Sequence, residues 1–403
     1  MSSTFPNDSA ISLRSPDDAA NTSGFPNAPR APSPTALSTE QQAQQYAVGE
    51  DAVNQAQNAI DVDSSESGYD DGSSDQGYDS DSQMSASTSL SSSVRDYLYE
   101  NGRRYHAFRE GTYNFPNDDT EQEREDLKHA MMSHLLNGRL HYAPIGPTPQ
   151  NILDIGTGTG IWAIEMGDLY PTATVTGVDL SPIQPEWVPP NVKFMVDDVE
   201  SEWLRPADFF DYVHSRHTVM GIRDWPKLMR SVLHHLKPGG WYEMQEIHHV
   251  PYCHDGTMPM DHPVNEYWHY IVEALSALGV NFNATLLLEG IMREAGFVNV
   301  HVRIFHVPIG VWPRNTVLKR VGLYWRTVLL DGAEPIALGP LSRGLGWSKE
   351  QIDVWLIKVR KAYMDTWCHS HMPLFIICGQ KPGPGVVEYG PGQTPPWADV
   401  PVS

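Results

Sequence analysis

Three glycines, Gly156, Gly158 and Gly160, stand at alternate positions directly after the apolar run Asn151–Ile155. Glycine lets the backbone turn tightly and approach a ligand without an intervening Cβ. The amides of such a turn, together with the positive end of a following helix, can bind the carboxylate end or the ribose of a cofactor. The segment therefore predicts a cofactor site at a strand-to-helix turn, formed by the three glycines and by Asp154 within the run.

Acidic residues end the next two predicted strands. Asp179 follows Gly160 by nineteen residues, and a carboxylate there can accept hydrogen bonds from both hydroxyls of a ribose. In the next strand Asp198 is placed to accept from an adenine amino group, with Val199 beside it and Leu180 as an apolar platform against the ring. The alternative is that each acid caps a helix or faces solvent.

The spacing of the glycines separates two classes of cofactor. The fingerprint of a dinucleotide site is GxGxxG, which would place its third glycine at Ile161, whereas the glycine here is Gly160, one residue early. An acid that binds ribose suits both classes. The spacing therefore favours S-adenosylmethionine over NAD.

Ionisable side chains stand where the fourth and fifth predicted strands end, beside the reacting methyl group of such a cofactor. Methyl transfer from a sulfonium is an in-line displacement, in which the protein mainly aligns the nucleophile and excludes water. A hydroxyl acceptor would also need a general base, for which His214, His217 and Glu246 are the candidates, with His248 as a further one. The alternative is a structural role, since the chain contains 17 histidines.

No metal site is predicted. His248, His249, Cys253 and His254 are close in sequence, but their spacing matches no standard zinc pattern and lacks a second pair of ligands. The three cysteines include no CxxC pair, which favours a reduced intracellular compartment.

The spacing of apolar residues predicts alternating strands and helices, which is typical of a parallel sheet with crossover helices. The predicted strands are 151–155, 174–179, 192–196, 210–215, 240–246, 298–305 and 374–378, and the predicted helices are 121–136, 162–169, 225–236 and 286–295, with a helix-rich region over 317–367. The candidate site residues then lie at the carboxyl ends of strands, where ligands bind in open α/β sheets.

Composition divides the chain into regions. Residues 1–93 carry 14 acidic and 2 basic side chains, out of a net charge of −22, and few large apolar residues, which predicts a disordered acidic arm. We expect an N-terminal cap over 94–148, an α/β domain over 149–382 and a frayed tail, rich in Pro and Gly, over 383–403. The acidity disfavours direct binding of nucleic acid, and no apolar run is long enough for a transmembrane helix.

These residues together resemble the class I methyltransferases of the fungal LaeA-like type, also described as TAM- or UMTA-domain proteins. The resemblance covers residues 94–382. It rests on the glycine loop and on the motifs ENGRRYH at 100–106, Tyr113, PND at 116–118, DLSPIQPEWV at 179–188, FDYVHSR at 210–216, HLKPGG at 235–240 and EMQE at 243–246.

The resemblance implies a Rossmann-like sheet of seven strands with a helical N-terminal cap and a helical insertion, over about 313–368, before the last strand. It implies cofactor contacts at Gly156, Gly158, Gly160, Asp179 and Asp198, and a segment from Tyr105 to Tyr113 that folds over the cofactor. Family members include metabolic tailoring enzymes, and regulators of secondary metabolism and development that act in nuclear complexes with velvet-type or membrane-tethered partners.

Two functions of different classes follow. The first is an active methyltransferase, located in the cytoplasm, the nucleus or both, that acts on a small metabolite or a protein. The second is a regulatory subunit that binds S-adenosylmethionine without essential turnover. Replacing Gly158 or Asp179 would separate the two, because a purely structural partner should keep its complexes after losing the cofactor.

Overall fold

The computed structural model describes residues 97–389. The acidic arm predicted over 1–93 and the end of the predicted tail, from residue 390, lie outside the described residues. The described part opens with a two-stranded hairpin, β1 (Leu98–Glu100) and β2 (Arg103–Tyr105), and helix α1 (Asp119–Leu135). The predicted N-terminal cap therefore combines a hairpin with one helix, and is not purely helical.

Strands and helices then alternate along the chain. They are β3 (Asn151–Ile155), α2 (Ile161–Leu169), β4 (Thr174–Asp179), β5 (Val192–Val196), β6 (Phe210–Arg216), α3 (Trp225–His235), β7 (Leu236–Ile247), β8 (Tyr252–Cys253), α4 (Pro263–Ala277), α5 (Leu288–Glu294), β9 (Val298–Pro308), α6 (Thr316–Leu345), α7 (Lys349–Tyr363) and β10 (Ser370–Gln380). The first three predicted strands of the sheet match β3, β4 and β5 residue for residue.

The sheet has the strand order β5-β4-β3-β6-β7-β10, with β9 paired to the far side of β10. Strands β3 to β7 are parallel to one another, and β10 runs antiparallel between β7 and β9. The short β8 adds an eighth strand, which continues β7 along β10. The predicted seven-stranded Rossmann-like sheet is confirmed, and the order reverses at β3, which places a crevice at the carboxyl ends of the strands on either side of it.

The central parallel strands β3 and β4 are buried, whereas β5 at the edge of the sheet is partly exposed. Ile152 and Ile155 of β3 are fully buried, and Trp162 and Met166 of α2 pack into the same core. Helix α2 starts directly at the end of the glycine loop. The glycine loop is thereby fixed between a buried strand and a buried helix.

A helical layer stands beside the sheet, built from α1, α4, α6 and α7. Helices α6 and α7 lie between β9 and β10, where a helical insertion was expected. Helix α4 was not predicted; its Tyr267 hydroxyl donates to the carbonyl oxygen of Ala333 in α6 at 3.1 Å, and its Trp268 indole donates to the Tyr363 hydroxyl of α7 at 3.0 Å. A Cβ at Gly344 of α6 would overlap the backbone of α4, so this glycine permits the close helix contact.

The start of the predicted tail is ordered against the sheet, which corrects the expectation of fraying. Asn299 of β9 donates from Nδ2 to the carbonyl oxygen of Val387 at 2.8 Å and accepts from the amide of Tyr389 at 2.9 Å. Within residues 97–389, no helix has the length and apolar character needed to cross a membrane.

Candidate active site

Two adjoining cavities lie at the carboxyl ends of β3, β4, β5 and β6. The larger encloses about 1020 Å³ of empty space, counting its open mouth, and the smaller about 420 Å³. The larger is within the range of small-molecule and cofactor sites. Both cavities share the glycine loop, the end of β6 and part of α1, so they form one continuous candidate site.

The glycine loop lines both cavities through Gly156 and Gly158. All three glycines have left-handed backbone conformations, with φ of 66° at Gly156, 57° at Gly158 and 83° at Gly160. A Cβ at Gly158 would meet no atom of the chain within 4 Å, whereas a Cβ at Gly156 would lie 2.8 Å from a Thr218 methyl group. Gly158 is therefore the place where a ligand can approach the bare backbone.

Gly160 has another role than the predicted contact with the cofactor. It is not among the residues that line either cavity, and a Cβ there would overlap the Phe194 ring, whose Cε1 would be 2.8 Å away. The Phe194 ring also covers Gly177 of β4. Gly160 thus serves the packing of β5 against the loop and the start of α2, and its assignment to cofactor binding is corrected.

Asp179 lies at the end of β4 on the wall of the larger cavity. Its carboxylate accepts from the amide of Gly158 at 2.9 Å and from the amide of Ser181 at 2.9 Å. Burial raises the pKa of Asp179 to about 6, although these two amides favour the ionised form. A carboxylate with free lone pairs in such a place is suited to further donors, such as ribose hydroxyls.

Leu180, Asp198 and Val199 line the same cavity, and their contact with an adenine stays a prediction. Asp198 also caps its own turn, since it accepts from the amide of Glu200 at 2.9 Å and from the Ser201 hydroxyl at 3.0 Å. A local capping role is therefore present, but in a turn and not at the start of a helix. The Arg109 guanidinium also lies 3.7 Å from this carboxylate.

Asp154 and His214 form a buried pair below the glycine loop, against the smaller cavity. His214 Nδ1 lies 2.8 Å from Asp154, and the Thr157 hydroxyl donates to the same carboxylate at 2.6 Å. The His214 ring stacks on Trp162, with 3.7 Å between the ring centroids. Both residues thus hold the loop, and burial lowers the pKa of His214 in spite of Asp154.

His217 is the predicted base that lines both cavities. It is not a glycine, yet its φ is 57°, a conformation that costs energy for such a residue. Among the described residues, neither of its buried ring nitrogens has a hydrogen-bond partner. Burial, and then the nearby cations Lys128 and Arg216, hold the pKa of His217 well below its ordinary value, so the ring is neutral.

Glu246 lies behind the wall of the site and not in it, which corrects its assignment as a base. Its carboxylate accepts from the amide and hydroxyl of Thr218, at 2.8 and 2.7 Å, and from the amide of Val219 at 3.3 Å. The side chain is fully buried, and burial raises the pKa of Glu246 to about 7. Glu246 therefore holds the turn that carries His217.

The segment before α1 folds over the larger cavity, where Thr112, Tyr113, Pro116 and Asn117 line it. Arg223 fixes the segment by donating to the carbonyl oxygens of Gly111 and Thr112, at 2.9 and 3.2 Å. Tyr105 was predicted to join this cover but does not line the cavity; its buried ring lies under the Arg343 guanidinium. The role of Tyr105 is therefore corrected to packing.

Charged residues of α1 form part of the site that the sequence did not reveal. Glu125 and Lys128 line both cavities together with Arg216 of β6. Lys128 is 2.6 Å from Glu125, and Arg124 contacts both Glu121 and Glu125. Burial opposes ionisation of Glu125, but Lys128 and Arg124 hold its pKa below the ordinary value. The periodic spacing of these residues in α1 is a signal for a buried charged face.

The histidines after β7 lie in the core. His248 and His249 are buried, and the His249 ring stacks on Phe282 with 4.8 Å between centroids. In the part of the chain that the structure describes, no group of three or more His, Cys, Asp or Glu side chains is arranged to hold a metal ion.

Several known proteins are similar in sequence to this chain over most of the described residues. A family model described as a methyltransferase domain matches residues 124–302. The methyltransferase pytC of Aspergillus terreus is 42% identical over 299 residues, which cover 74% of this chain and 92% of pytC. The secondary metabolism regulator LAE1 of Cochliobolus heterostrophus is 34% identical, over 70% of this chain and 94% of LAE1. The protein-methionine methyltransferase laeA of Emericella nidulans is 33% identical, over 74% of this chain and 80% of laeA.

The strand order, the glycine loop and the matching domain define a class I methyltransferase, an enzyme that uses S-adenosylmethionine. The relatives then give the family, and the chain belongs to the LaeA-like methyltransferases. The residues present fit the cofactor, because Gly158 leaves a cradle that a Cβ would fill and Asp179 presents a carboxylate with spare lone pairs.

Proposed function

We propose that this methyltransferase acts on an acceptor atom that is nucleophilic without losing a proton, with the thioether sulfur of a methionine side chain as the leading candidate. When bound, S-adenosylmethionine supplies a methyl group activated by its sulfonium. The single observation that carries the proposal is that none of the three candidate bases both reaches the larger cavity and takes up a proton easily at neutral pH.

Each of the three candidate bases is prevented, for a different reason, from accepting a proton from the methyl acceptor. Glu246 is sealed behind the wall by three hydrogen bonds to Thr218 and Val219. His214 is already bonded to Asp154 and fully buried. His217 reaches the site, but its protonated form is disfavoured by burial and by neighbouring cations. A hydroxyl acceptor would therefore find no suitable base among these three residues.

A thioether needs no such base. The new sulfur–carbon bond forms as the methyl–sulfur bond of the cofactor breaks, and the positive charge moves from one sulfur to the other without release of a proton. The chain must then align the acceptor and exclude water, which the cover over the cavity and the neutral ring of His217 are placed to do. The name of laeA from Emericella nidulans, a protein-methionine methyltransferase, supports this class of acceptor.

The test offers the full-length protein S-adenosylmethionine and a pair of peptides that differ only in methionine or norleucine. We expect methylation of the methionine peptide alone, detected by mass spectrometry, with a single-turnover rate that is flat between about pH 7 and 9, because no proton is removed. The Gly158→Ala variant is the control for the cofactor. A rate that rises with pH, or methylation of a hydroxyl compound only, would overturn the proposal in favour of base catalysis on a small metabolite.

We further propose a regulatory setting inside the cell, in the cytoplasm, the nucleus or both, with partners of the velvet or membrane-tethered type. The resemblance to regulators of this family and the name of LAE1 support it. Affinity purification of the full chain and of the Gly158→Ala variant tests it. Partners that stay bound to a variant without cofactor would instead favour the regulatory subunit that needs no turnover.

A further inference from the structure

Arg216 ends strand β6 at the junction of the two cavities and lines both of them. Its Nη2 donates to Nδ1 of His129 at 2.8 Å, and His129 Nε2 donates in turn to Glu165 at 3.0 Å. Burial lowers the pKa of His129 to about 3, so the ring is neutral and holds this direction of hydrogen bonding. The partner of the Arg216 guanidinium is therefore an uncharged ring.

The other cations around the cavities are already paired. Arg124 contacts Glu121 and Glu125, and Lys128 lies 2.6 Å from Glu125. Within the described residues, the ion pairs include no carboxylate within 4.0 Å of Arg216. Cations below a protein surface are generally paired, because leaving water is costly for an unpaired charge.

We propose that Arg216 binds the carboxylate of the amino-acid end of S-adenosylmethionine, and that Glu165 and His129 hold the guanidinium in position for it. This rests on the proposed use of the cofactor and names the residue that selects its amino-acid end. A guanidinium fits a carboxylate through two parallel hydrogen bonds, which gives geometric selection as well as affinity.

The surroundings favour a single negative charge on the ligand. Burial lowers the pKa of Arg216, and the nearby carboxylates of Asp154, Glu125 and Glu165 oppose this shift. A ligand group with two charges, such as a phosphate, would be repelled by these acids. Asp154 and Arg216 both line the smaller cavity below the glycine loop, which adjoins the larger cavity where Asp179 and Asp198 lie.

The experiment measures binding by titration calorimetry, without acceptor or turnover. The full-length chain is titrated with S-adenosylmethionine, with its decarboxylated form and with 5′-methylthioadenosine, which lacks the whole amino-acid end. The variants are Arg216→Met and Arg216→Lys, and Arg205→Met removes an exposed arginine away from the cavities as the matched control.

We expect Arg216→Met to lower the affinity for S-adenosylmethionine by about 10- to 100-fold, the magnitude of a lost hydrogen bond between charged groups. The affinities for the other two ligands should not change. Arg216→Lys should keep part of the preference for the carboxylate, and Arg205→Met all of it. An equal decrease in affinity for all three ligands, or no decrease for any of them, would overturn the inference. If Arg216→Met does not fold, an undiminished preference in Arg216→Lys would overturn it instead. Failure of the thioether reaction would leave these affinities as they are, so the two proposals fail separately.

Discussion

Alanine at Gly158 and at Gly160 should give opposite phenotypes, although the two glycines are two residues apart. Both positions have positive φ, so both variants lose about 1–2 kcal/mol of folding stability from backbone strain. At Gly160 the new Cβ also overlaps the Phe194 ring, which is packed closely against Gly177 as well. Moving that ring costs about 1–3 kcal/mol more, as in other overpacked cores.

The total for Gly160→Ala is therefore about 2–5 kcal/mol, a decrease in melting temperature of roughly 5–15 °C for a domain of this size. Gly158→Ala should lower the melting temperature by only a few degrees, since its Cβ meets no protein atom. That Cβ enters the space where the ligand approaches, so affinity for S-adenosylhomocysteine should decrease about 10- to 100-fold. The folded fraction of Gly160→Ala should bind almost normally.

Differential scanning calorimetry and ligand titration on the two variants test this contrast. Phe194→Leu in combination with Gly160→Ala is the control, and should recover much of the lost stability because the overlapping ring is removed. The reasoning is refuted if Gly158→Ala binds the ligand as well as the wild type, or if Gly160→Ala unfolds at the wild-type temperature.

Three further predictions concern ionisable groups. Ribose hydroxyls would donate to the ionised carboxylate of Asp179, whose pKa in the free protein is about 6. In calorimetric titrations, affinity for S-adenosylhomocysteine should therefore decrease below pH 6, by at most about tenfold per pH unit. Asp179→Asn should bind this ligand weakly, with an affinity that does not change between about pH 5 and 8. The pKa of Glu246 is about 7 in the folded protein and about 4.5 when unperturbed, so the unfolded chain loses this proton first as pH rises. Glu246 should therefore lower the free energy of unfolding by up to about 3 kcal/mol between about pH 4.5 and 7. Glu246→Gln should reduce this pH dependence in urea unfolding, and an unchanged dependence of unfolding free energy on pH would contradict the assignment. His217→Asn should lower the rate of methyl transfer at least about tenfold with little change in cofactor affinity, whereas equal losses in both would make it a cofactor ligand.

The sheet was predictable because its strands are continuous apolar runs. The bounds of β3, β4 and β5 follow from the sequence, and the acids that end them lie together on one cavity. Helix α4 was not predicted, although Tyr267, Trp268 and Ile271 have helical spacing. Its place between α6 and α7 is a tertiary contact that no local pattern specifies.

The site was only partly predictable, because residue type does not say which way a side chain points. Gly158 and Gly160 are equivalent in the sequence, and only the Phe194 ring from another strand makes one a packing residue. Glu246 has the chemistry of a base, but the turn at Thr218 takes up its carboxylate. Charged positions of α1 would ordinarily be assigned to solvent, yet Lys128 is buried against the cavities.

The most direct test of the central claim is calorimetric titration of the full-length chain with S-adenosylmethionine, with NADH as the control ligand. The account predicts saturable binding of S-adenosylmethionine, binding about 10- to 100-fold weaker in Gly158→Ala, and no binding of NADH. Binding of NADH, or S-adenosylmethionine binding that Gly158→Ala leaves intact, would contradict it.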